Sequence, residues 1–310
     1  MSYELEATFN KLRKQKRKAL IPYFTALYPS AKVFEQSVIA AADAGVDPVR
    51  DRSSRRADRK SVIPSIVGSD DETKEKYSDK GTRISNGADI IEIGLPFSDP
   101  LADGPVIQHS SHYALTHGFT IERMFKSIRR LRDRTKTPLV IMTYINPVLR
   151  YGVSKFIREC RNSGVSGLII PDMIPACAKA SAGRPEESIL IEREAKQSGI
   201  AINYLIAPTT PIGRIRLIAA HTTGFIYLVS VVGVTGERRG IPAYLPVVVK
   251  RIRRITDKPV CIGFGISTPA QAKAMARLCD GVIIGSALVK KVKAGVNEVG
   301  KFLKQVRRKV

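Results

Sequence analysis

Cysteine is scarce and scattered. Cys160, Cys177, Cys261 and Cys279 are the four in 310 residues, and no two form a Cys-x-x-Cys pair. That excludes a zinc ribbon and a disulfide-stapled miniprotein, and points to reduced thiols and a cytoplasmic protein. Long apolar runs are missing too. The longest, near Phe225 to Val234, is interrupted by Ser230 and Gly233 and falls short of the roughly eighteen residues a membrane span requires. No Gly-x-Gly-x-x-Gly follows the first apolar strand, no Walker lysine is present, and no Gly-x-Ser-x-Gly occurs. Rossmann-type dinucleotide binding, nucleotide hydrolysis and serine-nucleophile hydrolysis therefore lack their usual carriers.

Acidic residues are the other shortage: 28 Asp and Glu stand against 51 Lys and Arg, a formal net charge of +23. The excess is spread over residues 11–18, Lys250 to Arg254, Lys290 to Lys293 and Lys301 to Lys309. No helix-turn-helix, zinc finger or aromatic-interleaved RNA motif goes with it, so a basic surface is expected rather than a nucleic-acid interface. Near the N-terminus, basic residues 11–18 precede an apolar stretch from Ala19 to Leu27, an arrangement that imitates a signal peptide. Pro22 and Thr25 break that stretch, and Leu5, Phe9 and Leu12 precede it at helical spacing. The segment reads as part of the fold.

What is present is a repeating β-then-α pattern. Eight apolar strand-like runs occur: Ile21 to Ala26, Asp89 to Leu95, Pro138 to Tyr144, Gly167 to Pro171, Ala201 to Ile206, Phe225 to Val229, Pro259 to Gly263 and Gly281 to Ile284. Helical spacing fills most of the gaps, as in Ile121, Met124, Phe125, Ile128 and Leu131. Repeated β/α units imply a parallel sheet, and eight of them a closed (β/α)8 TIM barrel, here one domain over 1–310. Residues 48–83 do not fit. They carry ten basic and seven acidic residues and few apolar ones, the composition of a largely disordered surface insertion before strand 2. A smaller excursion is expected near Cys177 to Pro185.

The densest chemical signal runs from Ile90 to Pro105. Strand alternation puts Ile90, Glu92 and Gly94 on one side. Facing the barrel interior near a strand's C-terminal end, the Glu92 carboxyl would be desolvated and its pKa raised, as a general acid–base requires. Asp103 follows eleven residues later, so two carboxylates can divide the work. Asp99, taken alone, reads as a turn or cap residue. Three glycine turns follow later strands: Gly233 to Gly236, Gly263 to Ser267 and Gly285 to Leu288. Glycine-exposed N–H groups at helix N-termini make a phosphate cradle without lysine, and barrels place one after strands seven and eight. His109, His112 and His117 read as a solvated helix face, with no metal expected.

These residues resemble the tryptophan synthase alpha chain family. The Glu92-to-Pro105 block carries the likeness, together with Ile21-Pro22-Tyr23, Met142 to Pro147, Ile170-Pro171-Asp172, Tyr227 to Ser230 and the glycine turns. The resemblance implies a lyase that cleaves indole-3-glycerol phosphate to indole and glyceraldehyde 3-phosphate. Glu92 is implied as its acid–base and Asp103 as the acceptor of the indole N–H. Tyr23, Met142 and Ile169 would line the indole pocket, with Tyr227 near the substrate. Gly236, Gly265, Gly285 and Ser286 would hold the phosphate, and Thr235 and Phe264 would also bind the substrate. It further implies an alpha2beta2 heterotetramer with a beta subunit, met by Pro96, Asp99 and the segment near Asp172. Pyridoxal phosphate is expected only in that partner, with no cofactor in this chain. Two other readings stand beside it: a non-catalytic barrel that activates a beta subunit, and a basic nucleic-acid binder.

Overall fold

The computed structural model describes residues 3–43, 87–175, 185–229, 241–263 and 265–310. The insertion expected at 48–83 lies outside them, as does the second excursion up to Pro185.

Helix α1 (Glu4–Lys14) precedes strand β1 (Ala19–Thr25), and α2 (Ala31–Ala42) leads towards β2 (Ile91–Gly94). Two helices, α3 (Pro105–Thr116) and α4 (Ile121–Arg132), then precede β3 (Leu139–Met142). After it come α5 (Ile145–Tyr151), α6 (Val153–Asn162), β4 (Gly167–Ile169), α7 (Pro185–Ser198), β5 (Ala201–Asn203) and β6 (Leu205–Ile206). The last part holds α8 (Ile212–His221), β7 (Ile226–Val229), α9 (Leu245–Arg253), β8 (Val260–Gly263), α10 (Pro269–Ala276), β9 (Gly281–Ile284), α11 (Ser286–Ala294) and α12 (Val296–Arg307). All the strand pairings are parallel, in the order β5-β4-β3-β2-β1-β9-β8-β7-β6.

The eight expected strands are therefore present, with the fifth divided at Tyr204. Its two halves sit at opposite ends of the pairing order, so one short passage of chain leaves β4 and joins β7. Asn203 makes that transfer possible. Its buried side-chain amide donates to the Leu168 carbonyl at 3.0 Å and accepts from the Phe225 N–H at 2.8 Å, supplying bonds to both neighbours. Tyr204 continues the closure by accepting from the Tyr227 N–H at 2.9 Å. A closed sheet has no edge to protect, and its strands, covered by helices outside, can be apolar throughout. Every residue of β1, β2 and β3 is buried.

The N-terminal basic helix belongs to this core. Leu5, Phe9 and Leu12 of α1 are buried, and Phe9 packs on Phe225 with ring centroids 5.8 Å apart. The apolar stretch that imitates a signal peptide is strand β1 and its exit. At the N-terminal end of β2, the Ala88 N–H donates to the Ala41 carbonyl at 2.9 Å, so the chain on either side of residues 44–86 meets at one point. That point is at the opposite end of the strand from the Gly94 loop.

Candidate active site

Barrel strands end together, so residues far apart in sequence meet at the C-terminal face. A cavity of about 370 Å³ lies there. Tyr23 of β1, Glu92 of β2, Met142 of β3, Tyr227 of β7 and Ile283 of β9 line it from below, while Asp103 and the start of α3 close one side. Gly265, Ser267, Gly285 and Ser286 line another, where α11 begins.

Glu92 is fully buried, and neither carboxyl oxygen has a hydrogen-bond partner. Buried polar groups are almost always satisfied, so an orphaned carboxyl facing a cavity marks a place where something else binds. Burial, and then the charge of Asp103, push the Glu92 pKa up to about 8. It therefore holds a proton at neutral pH. Burial also pushes Asp103 up to about 7, against the pull of a hydrogen bond from Tyr144. That bond favours the ionised carboxylate, which has no proton to give, so Tyr144 is its donor, while Tyr144 Oη accepts from the Ala102 N–H at 2.9 Å.

The cavity owes its shape to two glycines. A Cβ on Gly94 would lie 2.0 Å from the Tyr23 hydroxyl, and one on Gly263 would lie 2.3 Å from that of Tyr227. Both phenols thus lie across bare backbone of the neighbouring strand. The Tyr23 hydroxyl is bonded to Thr25, whose own hydroxyl is 2.6 Å from Ser110. Ser110 also donates to the Ile107 carbonyl at 2.9 Å, so a chain of hydroxyls joins Tyr23 to the first turns of α3.

At the glycine end, Gly265 adopts φ 76°, open to glycine at no steric cost. Gly285 caps α11, which opens at Ser286. Gln271 fixes the turn between them: its side-chain oxygen accepts from the N–H groups of Ser267 (2.8 Å) and Thr268 (3.1 Å).

Most of the sequence-derived candidates meet in this one cavity: Tyr23, Glu92, Asp103, Met142, Tyr227, Gly265, Gly285 and Ser286. Ile169 does not line it; it is wholly buried on β4, paired with Met142. Thr235, Gly236 and Phe264 lie outside the described residues. Of the interface candidates, Asp99 is exposed and accepts from Ser98 at 3.0 Å, whereas Pro96 is buried within the chain. Asp172 accepts from the Ile145 N–H at 2.9 Å, which caps the first turn of α5. His117 stacks on Tyr113 at 3.8 Å, on the surface as read. Sequence reasoning missed Tyr144, although it quoted the motif that contains it, because nothing in the spacing shows that Tyr144 meets Asp103. It also missed Thr25 and Ser110, 85 residues apart.

A family model described as "Tryptophan synthase alpha chain" matches residues 52–310. The chain belongs to the tryptophan synthase alpha chain family. These are lyases of tryptophan biosynthesis. The chain is 43% identical over 224 residues to the tryptophan synthase alpha chain of Dehalococcoides mccartyi, covering 72% of this chain and 84% of that one. With the Picosynechococcus sp. relative it shares 38% over 252 residues, 81% of this chain and 92% of that one. A structure of Mycobacterium tuberculosis tryptophan synthase superposes with a TM-score of 0.78 at 28% identity, covering 100% of this chain and 99% of that one. The alpha subunit structure from Legionella pneumophila gives 0.74 at 25% identity, covering 99% and 98%. The barrel expected from the β/α pattern is thus the barrel of the tryptophan synthase alpha chains. No described helix is long and apolar enough to cross a membrane.

Proposed function

We propose that this chain cleaves indole-3-glycerol phosphate to indole and glyceraldehyde 3-phosphate, with Glu92 and Asp103 as its two catalytic carboxylates. The observation that carries this reading is Glu92: a buried carboxyl, protonated at neutral pH, with both oxygens unpartnered against the cavity. Its proton goes to the indole C3, which turns the ring into a cationic indolenine. Ionised Asp103 accepts the indole N–H and stabilises that charge. The side-chain hydroxyl on the carbon attached to C3 then returns a proton to Glu92. The C–C bond breaks, its electron pair restores the indole, and the aldehyde of glyceraldehyde 3-phosphate forms. Protons balance, and Glu92 ends as it began.

The same reading gives the indole ring to Tyr23, Met142 and Tyr227, with Ile169 beside Met142 on the next strand, on apolar grounds. The phosphate falls to the cradle of Gly265, Gly285 and Ser286, completed by Thr235, Gly236 and Phe264. The steps above use proton transfer alone, so they call for no cofactor in this chain. Pyridoxal phosphate is assigned to a beta subunit in an alpha2beta2 assembly in the cytoplasm. The loop bearing Pro96 and Asp99 would face that partner. Leu101 is 93% exposed there.

Indole release from indole-3-glycerol phosphate tests this, with and without a beta subunit, for wild type and Glu92→Gln. Release by wild type and a loss of about a thousandfold in the variant are expected, since positioned acid–base groups supply roughly 10²–10⁴ in rate. No release from folded wild type under any condition would leave the non-catalytic activating role instead.

A further inference from the structure

The cradle presents a charge problem. The substrate's phosphate carries close to two negative charges at neutral pH, while a helix N-terminus offers the equivalent of about half a positive charge. Backbone N–H groups orient an anion but do not neutralise it. The structure supplies what the glycine turns lack. Helix α11 borders the cavity along a single face made of Ser286, Ala287, Lys290, Lys291 and Ala294, at spacings of three and four residues. Side chains on a helix lean towards its N-terminus and cover the preceding turn, and residues four apart stack on one face. Lys290 is four residues after Ser286, so its stem is carried back along the helix towards the Gly285–Ser286 cap. Lys291, partly buried, flanks it. The carboxylates that line the cavity are Glu92 and Asp103, in the barrel mouth rather than on α11.

We propose that Lys290 and Lys291 are charge partners of the substrate's phosphate, and that they make the cavity select a phosphorylated three-carbon chain over its unphosphorylated counterpart. They are binding residues rather than catalytic ones, and the inference rests on the lyase reading. A flexible ammonium at the rim acts as a point charge that follows the anion, in contrast to the fixed geometry of the backbone donors. Its contribution is open to screening by salt because both lysines reach solvent.

Steady-state kinetics in the condensation direction separate the two ends of the site, because indole and glyceraldehyde 3-phosphate are then distinct substrates. For Lys290→Gln, Lys291→Gln and the double variant, the KM for glyceraldehyde 3-phosphate is expected to rise, about tenfold in the double variant, with the KM for indole unchanged. The wild-type advantage should shrink as salt is raised from about 0.05 to about 0.5 M. A phosphate-end KM within twofold of wild type would overturn the proposal, as would equal rises in both KM values, which indicate a distorted cavity. If wild type shows no turnover in either direction, the lyase reading fails by itself. Calorimetric titration with inorganic phosphate then decides the lysines: weaker binding by the double variant upholds them, and equal binding overturns them.

Discussion

Strand β2 and the residues leading into it carry two carboxylates three positions apart, at opposite ends of the barrel. Asp89, at the lower end, is saturated. It accepts from the Leu20 N–H at 2.9 Å, pairs with Arg17 at 3.3 Å, and bonds to Arg307 of the last helix. Arg307 also donates to the Gly87 carbonyl at 2.9 Å, and ties α12 to the point where residues 44–86 leave and return. Glu92, at the upper end, has burial without a single partner. One carboxylate is held by the protein, and the other is kept for something outside it.

Removing the carboxylate at either end should therefore have opposite consequences. The largest effect on stability is expected from Asp89→Asn, which leaves partly buried Arg307 without its counter-ion; the loss should approach, without reaching, the roughly 3–5 kcal/mol that breaking a fully buried pair costs. Denaturant unfolding would show it, and a loss under about 1 kcal/mol would mean that the Arg307 pairing is incidental.

Glu92→Gln should instead stabilise the protein at alkaline pH. The folded-state pKa of Glu92 is raised to about 8 from the usual 4.5, so between those values the folded state holds a proton that the unfolded state has released. Wild-type stability consequently falls as pH rises through that window and is lowest above about 8. Asp103, raised to about 7, adds to the same slope. Thermal unfolding across about pH 5 to 9 should show a shallower decline in the variant, and parallel curves would contradict a neutral, unpartnered Glu92.

Gly94→Ala places a methyl group on the Tyr23 hydroxyl. Overpacking of this kind costs about 1–3 kcal/mol, and displacement of Tyr23 from the cavity floor should lower kcat/KM about tenfold. A fully active variant would show that Tyr23 has no fixed place in the site.

The mildest change is Tyr144→Phe, which withdraws one hydrogen bond from Asp103. That bond lowers the Asp103 pKa, so its loss moves ionisation above about 7. The acid limb of the rate profile should shift towards higher pH, with a rate loss of several-fold at neutral pH. An unmoved limb would assign that limb to another group.

The lower end also holds part of the basic excess behind the net charge of +23. Helices that follow barrel strands run back towards the lower face, and several end in basic residues. Arg129, Arg130 and Arg132 close α4, Lys250, Arg251 and Arg253 close α9, and Lys304 and Arg307 close α12. Cations complement the negative end of a helix dipole. Part of the excess thus sits at helix ends away from Glu92.

By itself the sequence determined the elements and their class. Period-two and helical patterns report burial directly, and eight β/α repeats leave few alternatives to a parallel barrel. It also determined Glu92 and Asp103 as candidates, because strand alternation and the Pro- and Asp-rich loop are local features. Only tertiary structure decided the partners. Whether a carboxyl is saturated or orphaned depends on chain more than 200 residues away, as with Arg307 on Asp89. The break at Tyr204, the bridging amide of Asn203, the proton that Tyr144 gives to Asp103, and the face that α11 turns to the cavity are all contacts between distant segments. No local pattern encodes them, since each depends on which strands closure of the barrel makes neighbours.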